Sequence, residues 1–230
     1  MTASTLKLIA LSAMILDHLA VAFPETIPVE VRIIGRLSWP IFAYLLAEGF
    51  KHTRSRRNML LRLAAFALIS EIPYDIVAGN PLDFLANTNI FYTLFLGGLA
   101  IHLFERFDLI TGKTLAAVCG IFPAAFLGEI LGVEYGGLGV LFIFAMYFIP
   151  HKTVRLIFMG IFVLLQFLPL MLGVPMGEHG TIFYVMAMLF SLIPILLIAQ
   201  YNNQRGYRLK WLFYTAYPLH LAIFGVVMHL

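Results

Sequence analysis

Charged residues are scarce in this chain, and their scarcity excludes a water-soluble globular protein. Only 12% of the 230 residues are Asp, Glu, Lys or Arg, whereas 61% are hydrophobic. Soluble domains carry about 25% charged residues. The composition therefore predicts an integral membrane protein. The net charge of +3 does not indicate a nucleic-acid partner, because in a membrane protein the distribution of basic residues matters more than their sum.

Several functional motifs are also absent. A single cysteine, Cys119, excludes an internal disulfide framework. The chain has no Gly-x-x-x-x-Gly-Lys-Ser/Thr loop and no Gly-x-Ser-x-Gly motif, which argues against a nucleotide-hydrolysing pump and a serine hydrolase. No cysteines or histidines have the spacing of metal ligands, so no metal site is predicted. No internal repeat supports an inverted-repeat transporter.

Long hydrophobic runs, by contrast, fill the chain. About 20 apolar residues span a bilayer, and Gly, Pro and Asn punctuate the sequence between such runs. They predict an all-α, polytopic membrane helix bundle, with one domain over residues 1–230. The nine predicted spans are residues 5–23, 32–50, 58–78, 88–106, 112–132, 136–150, 154–173, 180–200 and 210–229.

The basic residues predict the orientation of these spans. Thirteen of the 15 Lys and Arg residues fall at connections on one side, and the exceptions are Arg32 and Arg36. The positive-inside rule makes that side cytoplasmic. We therefore expect a multi-pass protein of the bacterial inner membrane, with its amino terminus inside and its carboxyl terminus outside. The first run is expected to stay as a span, because Asp17 and His18 interrupt the apolar core that a signal peptide needs.

Asp17 and His18 are the most unusual residues, since they lie side by side in the outer half of the first span. An Asp inside hydrocarbon costs about 2.5–3.5 kcal/mol, so such groups normally face a protein interior or a watery cavity. Consecutive helical residues point about 100° apart, so both cannot face lipid cheaply. The pair indicates chemistry or transport for His18, or a hydrogen bond that bridges helices.

Other polar residues are predicted at a similar outer depth. Arg32 and Arg36 are four residues apart and share a helical face, as do Glu71 and Asp75. The arginines are either interfacial anchors or part of a buried site. The two carboxylates either pair with those arginines or act directly. The remaining members of this set are Asn89, Tyr92, Thr93 and Glu129, and a further polar residue, His220, is predicted near the middle of the ninth span.

A basic cluster occupies the connection between the second and third predicted spans. Its members are Lys51, His52, Arg54, Arg56, Arg57 and Arg62. One interpretation is a plain cytoplasmic loop near anionic lipid. The other is a binding face for a polyanion such as a nucleotide, because arginine forks engage phosphate oxygens.

Four runs of sequence together resemble the TraX family over essentially the whole chain. They are LKLIALSAMILDHLAVAF (6–23), RIIGRLSWPIFAYLLAEGFKHTRSRRNMLLRLAAFALISEIPYDI (32–76), TNIFYTLFLGGLAIHLFE (88–105) and YTAYPLHLAIF (214–224). A weaker resemblance runs to membrane acyltransferases of the acyltransferase-3 type. Lys7 and His18 reproduce that group's spacing of a basic residue and a histidine, with lysine in place of the commoner arginine. Tyr217 and His220 resemble its late tyrosine-and-histidine motif.

The TraX resemblance implies an acetyl-CoA-dependent acetyltransferase that acts on pilin in conjugation, although the acceptor can equally be an envelope glycan. His18 is then expected as the general base. The other catalytic candidates are Asp17, Arg36, Glu71 and Asp75. The candidates for binding coenzyme A are Lys7, Lys51, Arg54, Arg57 and Arg62. Lys7 and His18 are separated by about 16 Å of helix, which is comparable to the reach of a pantetheine arm.

Two other functions are compatible with the same residues. The buried polar set can serve a proton-coupled transporter or lipid flippase. Alternatively, the chain is a scaffold for pilus or envelope assembly, in which case its polar residues affect only stability.

Overall fold

The regular structure of the protein is helical throughout the part that can be described. The computed structural model describes residues 1–79, 88–174 and 179–230, without the side chains of residues 109–111, and no strand occurs among them. The helices are α1 (Ala3–Ala22), a 3-10 helix (Val29–Val31), α2 (Arg32–Gly35), α3 (Ser38–His52), α4 (Arg56–Ala78), α5 (Ile90–Thr111), α6 (Lys113–Ile130), α7 (Gly136–Phe148), α8 (Lys152–Gln166), α9 (Leu168–Met171), α10 (Thr181–Ala199) and α11 (Lys210–Met228). The all-α prediction is confirmed.

Local sequence signals explain where several of these helices begin and end. The Thr2 side chain accepts a hydrogen bond from the Thr5 amide at the start of α1, and Ser55 does the same for Asn58 at the start of α4. Asn89 accepts from the Phe91 amide at the start of α5. Such caps satisfy amides that have no partner within the helix. Gly79 ends α4 with a positive φ of 75°, a conformation that suits glycine.

Helices occur in each of the nine predicted spans, but two spans are broken. The second is divided into α2 and α3, and the seventh into α8 and α9. Within the described ranges, five helices are long and apolar enough to cross a membrane: α1, α5, α6, α10 and α11. The count of nine spans and their orientation therefore stay predictions.

The chain forms two compact units, each assembled from two stretches of sequence. Unit 1 comprises Met1–Phe42 and Ile149–Phe213, and unit 2 comprises Ala43–Phe148 and Tyr214–Leu230. Unit 1 contains α1, α2, α8, α9 and α10, and unit 2 contains α4 to α7 with most of α3 and α11. The prediction of a single domain stays a prediction.

Within unit 1, the amino terminus is hydrogen-bonded to the segment after α10. The Met1 amine donates to the Gln200 carbonyl, and the Ala3 amide donates to the Gln204 carbonyl at 2.8 Å. Lys152, at the start of α8, donates to the carbonyls of Ala199 and Tyr201 at 2.7 and 2.8 Å. The starts of α1 and α8 therefore lie beside the end of α10.

Within unit 2, α5 packs against α4, α6 and α7. Glycines allow the closest approaches: a Cβ at Gly120 of α6 would lie 2.8 Å from the Phe104 amide nitrogen, and one at Gly97 would lie 2.5 Å from Ile143. Small residues let helix backbones approach closely in this way. The result is a tightly packed frame around the polar residues of α4 and α5.

Candidate functional site

In unit 1, the structure brings together Asp17 and the two arginines that begin the second predicted span. The Asp17 carboxylate lies 3.5 Å from Arg32 Nε and 3.7 Å from Arg36 Nη2. The three side chains together carry a net charge of +1. Arg36 therefore has a carboxylate partner within its own unit. The predicted pairing of Arg36 with Glu71 or Asp75 stays a prediction.

The approach of Asp17 to α2 depends on Gly35. A Cβ at position 35 would lie 2.5 Å from the Asp17 Cβ and 2.8 Å from its Oδ1, which is closer than real Cβ contacts allow. Only glycine therefore lets the carboxylate reach between the two arginines. Ser38 provides a second contact with α1, because its hydroxyl at the start of α3 donates a hydrogen bond to the Ala10 carbonyl at 3.0 Å.

His18 follows Asp17 on α1 and is buried, with 9% of its surface exposed. It is the histidine that the sequence predicted as a general base. The residue before it, Asp17, is bound by two guanidinium groups, and a buried imidazole at this place is compatible with a role in proton transfer. A neutral imidazole accepts a proton, and the nearby positive charge favours an oxyanion that forms during acyl transfer.

In unit 2, Glu71 of α4 is bound by Asn89 at the start of α5. The Asn89 side-chain amide donates to Glu71 Oε2 at 2.5 Å and to the Ala67 carbonyl at 2.9 Å. Its carbonyl oxygen accepts from the Phe91 amide. These three hydrogen bonds fix the orientation of the Asn89 side chain. Because one of them goes to Glu71, they also orient the Glu71 carboxylate. Both residues are buried, at 5% and 0% exposed.

Further polar residues surround this pair. Asp75 is buried one turn beyond Glu71 and interacts electrostatically with it. Tyr92 and Tyr217 also lie within electrostatic range of Glu71. Thr93 is fully buried and donates to the Glu134 carbonyl at 2.5 Å. The predicted polar cluster of α4 and α5 is therefore a packed network within unit 2.

Two predicted polar residues have local partners. Glu129 is exposed, and its Oε2 accepts from the Gly137 amide at 2.9 Å at the start of α7. His220 is buried, and its Nδ1 lies 2.6 Å from the Ala216 carbonyl of its own helix. These contacts support the turn before α7 and the packing of α11.

The basic cluster of 51–62 is divided by its partners. Lys51 donates to Glu48 at 3.1 Å and lies over the Tyr147 ring. Arg56 Nη1 lies 2.7 Å from Glu105 Oε2, and the Tyr147 hydroxyl donates to the other oxygen of the same carboxylate. The positive charges of Lys51 and Arg56 are therefore balanced by acidic side chains.

The other predicted coenzyme-binding residues have different surroundings. Arg54 and Arg57 are exposed. The Arg62 guanidinium lies 5.8 Å from the ring centroid of Tyr214 in unit 2. The Lys7 ammonium lies 5.3 Å from the ring centroid of Phe213 in unit 1. The basic cluster thus contains cations paired with carboxylates, exposed cations and one cation over an aromatic ring.

Sequence reasoning missed Gly35, Glu105 and Tyr147. The spacing Arg-Ile-Ile-Gly-Arg (32–36) is a signal for Gly35, because a glycine between two arginines permits a close approach. Glu105 is an acidic residue near the end of an apolar helix, and the rule of intramembrane charge compensation predicts a basic partner for it. No sequence pattern indicates which basic residue that is.

Comparisons with known proteins agree with the resemblance described above. The model of the family described as TraX protein matches residues 2–228. The chain is 29% identical to the probable fimbrial assembly protein FimC, serogroup H1, of Dichelobacter nodosus, over 243 aligned residues that cover 96% of this chain and 93% of that protein. No solved structure matches it. The resemblance to acyltransferase-3 enzymes stays a prediction, whereas the predicted family is confirmed: the chain belongs to the TraX family.

Proposed function

We propose that this chain is a membrane-bound acetyltransferase that moves acetyl from acetyl-CoA to an amine of a pilin or related fimbrial subunit. The observation that carries the proposal is buried His18 beside Asp17, with Asp17 held by Arg32 and Arg36. The name of the Dichelobacter relative, a fimbrial assembly protein, supports a pilus subunit as acceptor rather than an envelope glycan. The hydrophobic helices support a membrane location, which we assign to the bacterial inner membrane.

In the proposed reaction, the acceptor nitrogen attacks the thioester carbon of acetyl-CoA, and His18 accepts the proton that the nitrogen loses. Arg36 stabilises the oxyanion that develops on the carbonyl oxygen. Collapse of the tetrahedral intermediate breaks the carbon–sulfur bond, and the His18 imidazolium returns its proton to the departing thiolate of CoA. A positioned base of this kind contributes about 10²–10⁴-fold to the rate. Asp17 holds Arg36 in place.

Helix pairs that lie side by side within each unit support nine spans rather than five. The start of α4 is bonded to Glu105, near the end of α5, and Glu71, near the end of α4, is bonded to Asn89, at the start of α5. If α5 crosses the membrane, α4 crosses it as well. α7 runs parallel to α5, because Glu134 before α7 bonds to Thr88 before α5 and Tyr147 near the end of α7 bonds to Glu105 near the end of α5. If α5 crosses the membrane, α7 therefore crosses it as well.

A corresponding pair occurs in unit 1. Lys152 at the start of α8 bonds to carbonyls at the end of α10, while Val163 and Phe167 pack against Ala187 in the first half of α10. These contacts place α8 antiparallel to α10. Since α10 is apolar enough to cross the membrane, α8 crosses it as well. With α2 and α3 as the return from α1, the count becomes nine, and the positive-inside rule orients the amino terminus inward.

The test is transfer of radiolabelled acetyl from acetyl-CoA to a peptide with a pilin-like free amino terminus, using purified chain in lipid nanodiscs. His18→Ala is expected to lower the transfer rate at least a hundredfold, because it removes the base. The matched control is His151→Ala, since His151 is exposed before α8. Equal rates for wild type and His18→Ala, with both proteins folded, would overturn the assignment.

A further inference from the structure

Arg62 stands apart from the other cations of the basic cluster by its depth. It lies six residues after Arg56, the first residue of α4, which corresponds to about 9 Å along the helix. Its side chain is partly buried. A positioning signal at the membrane surface needs no arginine this deep, and an arginine inside a span is costly enough to indicate a function.

The partners of Arg62 also differ from those of its neighbours. Lys51 and Arg56 are balanced by Glu48 and Glu105. No salt bridge to a carboxylate is found for Arg62 in the described ranges, and its buried Nε has no hydrogen-bond partner there. Its recorded contact is the face of the Tyr214 ring. A stacked aromatic ring lowers the cost of burying the cation but does not neutralise its charge.

Tyr214 is itself fixed by other aromatic rings. Its centroid lies 5.1 Å from that of Phe66 and 6.2 Å from that of Phe91, and Phe91 makes an edge contact with Tyr217. A guanidinium that lies over the face of a ring keeps the N–H donors at its edge available. Those donors match the oxygens of a phosphate, which arginine binds through two parallel hydrogen bonds.

We infer that Arg62, held on Tyr214, binds a phosphate group at the predicted cytoplasmic boundary of the membrane. The phosphate belongs either to the nucleotide part of coenzyme A or to the head group of an anionic lipid. The coenzyme form rests on the proposed function, whereas the lipid form does not. In both forms Arg62 is the phosphate-binding residue, Tyr214 is a positioning residue, and Lys51 and Arg56 do not contact the phosphate.

The experiment measures two kinds of binding to the full chain in nanodiscs. Calorimetry gives the Kd of CoA and of pantetheine, which lacks every phosphate, and native mass spectrometry counts retained phosphatidylglycerol. Arg62→Gln is expected to lower the affinity for one of the two phosphate ligands by about tenfold to a hundredfold, which is the contribution of a charge-assisted hydrogen bond. Pantetheine binding should be unaffected. The matched control is Arg106→Gln, since Arg106 is an exposed arginine of unit 2 on the same predicted side.

Conservative variants separate binding from folding. Arg62→Lys keeps the charge but loses the planar fork, so we expect an intermediate loss. Tyr214→Phe should retain the affinity, and Tyr214→Leu should lose it while the variant stays folded. If Arg62→Gln loses only CoA binding, the phosphate belongs to coenzyme A. If it loses only lipid binding, the phosphate belongs to the lipid head group. Unchanged affinities in Arg62→Gln overturn the inference, and so does a wild type that retains neither ligand. If CoA still binds in Arg62→Gln, the proposed function survives that result.

Discussion

At the scale of single residues, the close contact between Gly35 and Asp17 leaves no room for a side chain at position 35. Gly35→Ala would bring its Cβ to 2.7 Å from the Asp17 Cγ, and α2 is too short to shift independently of Arg32 and Arg36. We expect the carboxylate to be displaced, with a loss of about 1–3 kcal/mol in the free energy of unfolding. Acetyl transfer should fall in parallel, because Arg36 loses its anchor.

Thermal unfolding in detergent and the transfer assay together measure this effect. Gly180→Ala is the matched control, because a Cβ at Gly180 would have no neighbour within 4 Å among the residues that the structure describes. If Gly35→Ala keeps both wild-type stability and wild-type activity, the ion pairs of Asp17 are not needed for the site.

Sequence analysis predicted the members of the polar site better than their partners. Hydropathy identified Asp17, Glu71 and Asn89 as unusual, because an intramembrane polar group is visible against an apolar background. The bond between Asn89 and Glu71 depends on how α4 and α5 rotate about their axes, and a single sequence does not specify those rotations. The division of the basic cluster depends on Glu105, which lies far from it in sequence.

At the scale of helices, the crossing of α5 and α6 depends on Gly120. An alanine Cβ there would lie 2.8 Å from the backbone nitrogen of Phe104, and a helix backbone cannot yield as a flexible side chain can. Gly120→Ala is therefore expected to separate the helices and to cost about 1–3 kcal/mol. Gly160→Ala in α8 should be neutral or slightly stabilising, because its Cβ would meet Ile195 at an ordinary 3.5 Å.

Thermal unfolding of the two variants side by side measures the difference between them. Both substitutions add one methyl group to the interior of a helix, so propensity alone predicts the same gain for each. Equal melting temperatures would mean that α5 and α6 do not pack as closely as the glycine contacts indicate.

Hydropathy predicted the bounds of most helices but not the break in the second span. The run 32–50 is mostly apolar, so a hydropathy profile reads it as continuous, whereas the structure ends α2 at Gly35 and begins α3 at Ser38. In α4, which the span 58–78 predicted, charged and apolar residues alternate in their exposure. Leu68 is 68% exposed and Ile72 is 61% exposed, while Glu71 is 5% exposed, an inverted pattern that suits a helix surrounded by lipid.

For the whole molecule, membership of the TraX family does not determine how many times the chain crosses the membrane. Nine spans and five spans both place the termini on opposite sides, because both counts are odd. They also agree that the connection after α1 is outside and the connection after α10 is inside. The two counts differ only at residues 53–55 and 149–151, which nine spans place in the cytoplasm and five spans place outside.

Labelling of single cysteines with a membrane-impermeant maleimide therefore distinguishes the two counts. Replacement of Cys119 by alanine first gives a chain without cysteine. Thr53→Cys and His151→Cys then report the disputed connections, and Glu25→Cys and Asn202→Cys report the two agreed sides. In intact cells we expect label at position 25 only, and at all four positions after the membrane is opened. Label at position 53 in intact cells would mean that α3 and α4 do not cross, and Arg56 would then lie on the opposite side of the membrane from Glu105, its salt-bridge partner.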